Sequence, residues 1–187
     1  MHYLTKNLLT FAKQWRIITN MKTIFIGVDN GVSGGVGILT PTESFYYRTP
    51  TIKQRSYTKE KKFISRLDVE KFKDLLKAHV QDPRDVLLMF ERPMVNPRRF
   101  AATMSAVRCA EAALIVVEAL GYTYEWIDSR KWQHALLPDG ITGSSALKAA
   151  SLAFGKKTFP QLAEELKKDA DPLAIAWYLK KMEHRTL

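Results

Sequence analysis

The sequence predicts an α/β domain built on one mixed sheet with helices on both sides. An apolar, β-branched run ends at an acid and turns through glycines into a second apolar run over residues 24–39, the pattern of an antiparallel hairpin. Residues 85–90 (Asp-Val-Leu-Leu-Met-Phe) are apolar with little alternation, as in a central strand covered on both faces. Helical and extended patterns then alternate to the C-terminus. The resulting order, β-β-β-α-β-α-β-α-α-α, places three antiparallel strands ahead of parallel ones in a five-stranded sheet.

The elements follow in chain order. Residues 1–20 hold no acid but carry Lys6, Lys13 and Arg16, and they form an N-terminal extension. They lack the apolar core and cleavage site of a secretory signal, and their composition also suits an organellar address. The folded domain spans 21–187. Its opening hairpin presents Asp29 at the centre or the end of the first strand, where a lone charge in an apolar run is costly without a partner. Residues 44–49 are aromatic and make the third strand. The polar, basic stretch 53–62 is a mobile surface loop with Arg55, Lys59, Lys61 and Lys62. Asp68 caps a helix to about Val80 that buries Phe72, Leu75, Leu76 and Val80. Asp82-Pro83 breaks it, and the buried strand 85–90 runs into Glu91.

A loop with Pro93, Pro97, Arg98 and Arg99 leads to a helix over 100–120, closed by Gly121. That helix is apolar almost all round, with only Arg108, Glu111 and Glu118 as a polar stripe. It therefore buries more than one face, deep in the domain or at a subunit interface. A strand over 122–127 ends at Asp128. Helices over 129–137 and 144–154 flank the Asp139-Gly140 turn. Asp169-Ala170-Asp171-Pro172 opens the last helix, over 173–181, with Pro172 suited to its first turn.

The 187 residues are enough for one domain with a full core. Lys plus Arg number 29 against 19 Asp plus Glu, a net charge of +10. Such a surface attracts polyanions, nucleic acid ahead of an anionic membrane. The single cysteine, Cys109, excludes an intrachain disulfide and a thiolate zinc site, and suits a reducing, cytoplasmic setting. No apolar run approaches the roughly 20 residues of a membrane span.

Acids recur beside apolar segments at Asp29, Glu91, Asp169 and Asp171. If the first and fourth strands are neighbours, Asp29 and Glu91 stand side by side, and the last helix brings Asp171 to them. Clustered carboxylates call for a hard cation, and oxygen donors without Cys or His favour Mg²⁺ or Mn²⁺. Two such ions about 4 Å apart activate water and stabilise a leaving oxygen in phosphodiester cleavage. Each acid also has a plainer reading. Asp29-Asn30-Gly31 is turn chemistry, Glu91 pairs with Arg92 or another basic residue, and Asp169 or Asp171 is a helix N-cap.

The segments Ile26-Gly27-Val28-Asp29-Asn30-Gly31, Gly34-Gly35-Val36-Gly37, Phe90-Glu91 and Ala170-Asp171-Pro172-Leu173-Ala174-Ile175-Ala176 resemble, in order and spacing, the motifs of RuvC-like Holliday junction resolvases. These are ribonuclease H-like nucleases of phage and bacteria. The resemblance implies a homodimer, paired through the helix at about 100–120, that cuts four-way DNA junctions with two symmetric nicks. It also implies that Asp29, Glu91 and Asp171 are catalytic metal ligands. The family's fourth ligand lies a few residues before the last. Lys168 stands one helical turn upstream of Asp171, so Asp169 is the available substitute. Two residues apart on one helix they would diverge, and they converge only if Asp169 lies in the preceding loop. Lys131-Trp132 and Lys148 resemble basic positions of the same family.

Arg98, Arg99, Arg130, Lys131, Lys148, Lys156 and Lys157 are candidate DNA contacts, with the 53–62 stretch as a basic arm. Trp132 is a candidate for stacking on a base. Met94 or Phe100 either wedges between bases or packs locally. His79 and His134 have no metal partners and read as structural or exposed. Rival functions are a ribonuclease or other branched-nucleic-acid nuclease of the same fold, an actin-like ATPase fragment and a non-catalytic junction binder.

Overall fold

A computed structural model describes residues 22–57 and 63–184. The extension expected over 1–20 lies outside the described residues. The strands are β1 (Ile24–Asp29), β2 (Gly35–Leu39), β3 (Ser44–Arg48), β4 (Thr51–Arg55), β5 (Phe63–Leu67), β6 (Val86–Glu91) and β7 (Thr123–Ile127). The helices are α1 (Val69–His79), α2 (Phe100–Ala119), α3 (Ser129–Leu136), α4 (Ser144–Thr158) and α5 (Asp171–Glu183).

A five-stranded sheet runs in the order β3-β2-β1-β6-β7. β1 and β3 are antiparallel to β2, while β6 is parallel to β1 and β7 to β6. This is the mixed sheet the element order implies. The parallel register pairs Val28 with Phe90, so Asp29 and Glu91 follow at the carboxyl ends of neighbouring strands.

Alternation divides the core into two layers. Ile24, Ile26, Val28, Leu88 and Phe90 face α1 and α2, against Phe72, Leu76, Val116 and Val117. Phe25, Leu87 and Met89 face the other side, with Trp132, Leu166, Leu173 and Ile175. Leu173 and Ile175 are fully buried, each worth about 1.5–3 kcal/mol of apolar burial. The Asp68 side chain accepts from Lys71 N at 3.2 Å and caps α1 as expected. His79 is structural, with Nε2 2.9 Å from the Tyr47 hydroxyl and its ring against Phe45.

The segment expected as a mobile loop over 53–62 is instead bounded by a second, two-stranded sheet. β4 pairs antiparallel with β5 from Thr51↔Leu67 to Arg55↔Phe63. Every residue of β4 is exposed, so it carries no hydrophobic alternation that would mark a strand. Cross-strand pairing and the contact of β5 with α2 hold it. Residues 58–62 of that expected loop lie outside the described residues.

The expectation that no segment could span a bilayer also needs correction. Residues Pro97–Ala119 are long and apolar enough by length and composition, with a mean hydropathy of 1.6. Cys109, Ala113, Val116 and Val117 on this helix pack into the sheet core. Its opposite face, with Phe100, Met104, Val107 and Ile115, is exposed.

Candidate metal centre

Asp29 ends β1 and Glu91 ends β6, beside each other in the sheet. Asp171 is the first residue of α5, and Asp169 lies just ahead of the helix, separated by Ala170 at φ −127°, ψ 23°. Asp169 is therefore free of the helical geometry that would have turned it away. One carboxylate oxygen from each of Asp29, Asp169 and Asp171 falls within 4.8 Å of the others. Neither Asp169 nor Asp171 caps α5 by a side-chain bond, so the plainer N-cap reading does not hold.

Glycines bring α5 this close. Gly27 and Gly37 are cross-strand partners. A Cβ on Gly37 would lie 2.6 Å from Leu173 N and from Pro172 C, and one on Gly27 would overlap the backbone of Pro172 and Ala176. The start of α5 thus rests directly on the β1–β2 backbone. A Cβ on Gly35 would stand 3.1 Å from Pro172 Cγ, and Gly155 of α4 meets Ala170 in the same way. These glycines make room for a helix. The turn after Asp29 itself demands Gly31, at φ +146°, and Gly34, where a Cβ would overlap the Asp29 carbonyl.

The acids strain one another electrostatically. Burial pushes Asp29 well above its ordinary range, and the charges of Glu91, Asp171 and Asp169 push it further. Glu91 is raised from 4.5 to about 7, first by burial and then by Asp171. Hydrogen bonding from Trp132 and Asp29 offsets part of that rise. The Trp132 indole faces Glu91, although its buried Nε1 makes no well-formed hydrogen bond among the described residues. Asp171 is raised by burial and by Asp169, against a pull downward from the Ser151 hydroxyl.

A carboxyl whose pKa is higher in the fold than in the unfolded chain binds its proton more tightly when folded. Its contribution is complete below the unfolded value and disappears as pH rises through the folded one. The metal-free protein is therefore expected to lose thermal stability between pH 4.5 and about 7 through Glu91. Differential scanning calorimetry in EDTA measures it; a melting temperature that rises across this window would contradict it.

The donors fit a hard divalent cation. They are all oxygens, they converge, and buried Asp171 Oδ1 has no hydrogen-bond partner among the described residues. Lys148 of α4 places its ammonium 3.0 Å from Asp169 and partly neutralises the cluster. The same face of α4 contributes Ser151, fully buried, whose Oγ accepts from Ala170 N at 3.2 Å. Sequence reading missed Ser151; its spacing of three from Lys148 and four from Gly155 is the signal that marks the face turned to Asp169–Asp171. Asn30 was also missed as a support: its amide nitrogen donates to the Glu91 carbonyl and ties the two strand ends together.

The other candidates are distributed unevenly. Arg99 lines a cleft of about 300 Å³ beside Asp29 and Glu91, together with Asn30, Met94 and Ser129. Arg130 and Lys131 line a neighbouring groove of about 610 Å³ with Arg92 and His134. Glu91 does not pair with Arg92, which instead reaches Asp128 at 3.3 Å. Arg98 is exposed in the turn before α2. Lys156 and Lys157 are exposed in the last turn of α4, two turns beyond Lys148. Trp132 corrects its expectation. It is fully buried, so its ring packs in the core behind Glu91 and offers no face to a base. Met94 and Phe100 are exposed at 76% and 69%, so neither packs in the core.

No protein-family model and no curated protein matches the sequence. Among solved structures, T. thermophilus RuvC in complex with Holliday junction substrate matches with a TM-score of 0.56 at 14% identity, over 86% of this chain and 96% of that one. Another Thermus thermophilus RuvC structure matches with a TM-score of 0.48 at 14% identity, over 85% and 96% of the two chains. The chain therefore has the ribonuclease H-like fold seen in RuvC.

Proposed function

We propose that this protein is a divalent-metal-dependent endonuclease that resolves Holliday junctions by paired, symmetric phosphodiester cleavage. The observation that carries the reading is the convergence of Asp29, Asp169 and Asp171, with Glu91 ending the strand beside Asp29, in this fold. The RuvC structure of the same fold holds a Holliday junction substrate, and a net charge of +10 suits such a polyanion.

Mg²⁺, with Mn²⁺ as substitute, would be held by Asp29, Asp169 and Asp171, with Glu91 completing a two-ion set. When bound, the ions would supply an activated water and charge stabilisation at the leaving oxygen. The protein's own groups hold and orient. Ser151 and Asn30 fix the acids, buried Trp132 keeps water from behind Glu91, and Lys148 balances Asp169. Arg99, Arg130 and Lys131 line the adjoining cleft and groove, where phosphates meet positive charge.

Paired cuts need two centres. The exposed apolar side chains of Val107 and Ile115 lie on one face of α2, clear of the sheet, and apolar surface of this kind is costly in water. It supports a homodimer joined through α2.

The test is incubation with a labelled four-way junction, a duplex and an RNA–DNA hybrid, with and without Mg²⁺. Paired nicks confined to the junction and dependent on Mg²⁺ are expected. Cleavage of the hybrid alone would move the reading to a ribonuclease, and no metal-dependent cleavage of any substrate would overturn it.

A further inference from the structure

The β4–β5 hairpin and the first turns of α2 enclose a groove of about 430 Å³. Its walls include Tyr57, Phe63, Ile64, Phe100, Met104 and Arg108. It shares no lining residue with the cleft beside Asp29 and Glu91. Tyr57, Phe63 and Phe100 are 68%, 63% and 69% exposed. Large rings left this open on a single chain mark a surface that meets a partner. The Arg108 guanidinium sits 5.4 Å from the Tyr57 ring centroid and donates to its hydroxyl, which holds that ring in place.

Charge identifies the partner. The described hairpin residues, 51–57 and 63–67, carry Lys53, Arg55 and Arg66 and no acid. None of these cations has an acidic partner among the described residues, and Arg66 bonds to neutral Gln54 at 2.6 Å. Arg55 lies opposite Phe63 in the strand register, so cation and ring share one face. Exposed aromatic rings interleaved with unpaired cations are what a single nucleic-acid strand requires, a flat surface for each base and positive charge for its phosphates. A second copy of this chain would bring the same cations against themselves.

We propose that this groove binds unpaired nucleobases of a DNA strand, stacking them on Phe63, Tyr57 and Phe100 while Lys53 and Arg55 hold the adjoining phosphates. The site lies apart from the acid cluster and recognises single-stranded character. It rests on nucleic acid being the ligand of the proposed nuclease.

Fluorescence anisotropy in EDTA, with labelled oligo-dT and a blunt duplex of the same length, tests it without cleavage. Phe63→Ala is expected to weaken oligo-dT binding roughly tenfold, as loss of one stacking ring does, while duplex binding changes less than twofold. Phe63→Trp is expected to retain oligo-dT binding, which separates loss of the ring from damage to the hairpin. Unchanged oligo-dT affinity in Phe63→Ala would overturn the proposal. So would sedimentation showing that Phe63→Ala turns a dimer into a monomer, because the groove would then be a subunit contact. Wild-type junction cleavage, measured separately, distinguishes the two readings. Cleavage with an inert Phe63 sinks only this proposal, and Phe63-dependent binding without cleavage sinks only the nuclease.

Discussion

Asp29→Asn is expected to abolish junction cleavage and, in the same protein, to raise metal-free stability at about pH 8. Both effects have one cause. Asp29 is buried at the end of β1 and faces the charges of Glu91, Asp171 and Asp169, with only Lys148 to relieve it. At neutral pH the fold must either hold these carboxylates ionised against one another or keep protons on some of them. An isosteric amide removes the most burdened charge and relaxes Glu91 and Asp171 as well. The gain follows from the direction of that shift, because the removed charge is the one that burial and its acidic neighbours disfavour. The loss of cleavage is expected to exceed the roughly 10–100-fold that removal of an outer supporting group costs at a metal site. A single-turnover assay on a labelled junction and a thermal melt in EDTA measure the two sides. A mutant that is inactive and less stable than wild type would mean that Asp29 serves packing, and an active one would remove it from the ligand set. Sites that sacrifice stability for function are where such opposed effects occur.

Gly27→Ala is expected to be the most damaging small substitution in the sheet. Its methyl group would sit 2.5 Å from Ala176 N and 2.9 Å from Ile175 Cβ and would overlap Pro172 O. Two of these atoms are helix backbone, so no side-chain rotation relieves the overlap. Overpacking a well-filled core costs about 1–3 kcal/mol where side chains can yield, and this contact belongs at or beyond the upper end. The corresponding fall in melting temperature is on the order of 6–12 °C for a domain of this size. The strain acts on the first turn of α5, so any folded mutant carries Asp171 away from Asp29. Cleavage should therefore fall more steeply than stability alone explains. A melting temperature within 2 °C of wild type, with full activity, would contradict the close seating of α5 on β1 and β2.

Gly27 also shows where the sequence stops being legible. The mixed sheet and the acids Asp29 and Glu91 beside its strands follow from hydrophobic runs and their acidic ends, while their side-by-side placement was conditional on the pairing of the first and fourth strands. Those signals are local, and the core layers obey them. The role of Gly27 depends on a helix more than 140 residues later in the chain, and no local pattern shows that approach. The glycines after Asp29 read as a turn, yet Gly37 serves the same distant helix and Gly35 is confined by the Tyr47 carbonyl of β3 as well as by Pro172. The β4–β5 hairpin was hidden for a different reason. Its strands bury almost nothing, so the alternation that reveals a strand is missing. Trp132 reads as an aromatic beside basic residues, and only the turn of α3 against the sheet places it in the core. Asp169 was legible conditionally: its convergence with Asp171 required a non-helical backbone at that point, and Ala170 supplies it.

The account rests on a carboxylate cluster built to share a divalent cation. Calorimetric titration of the EDTA-treated protein with Mn²⁺ at about pH 8 tests this most directly. Saturable binding is expected in the wild type, lost in Asp29→Asn and in Asp171→Asn. No binding by the wild type, or equal affinity in all three proteins, would contradict it.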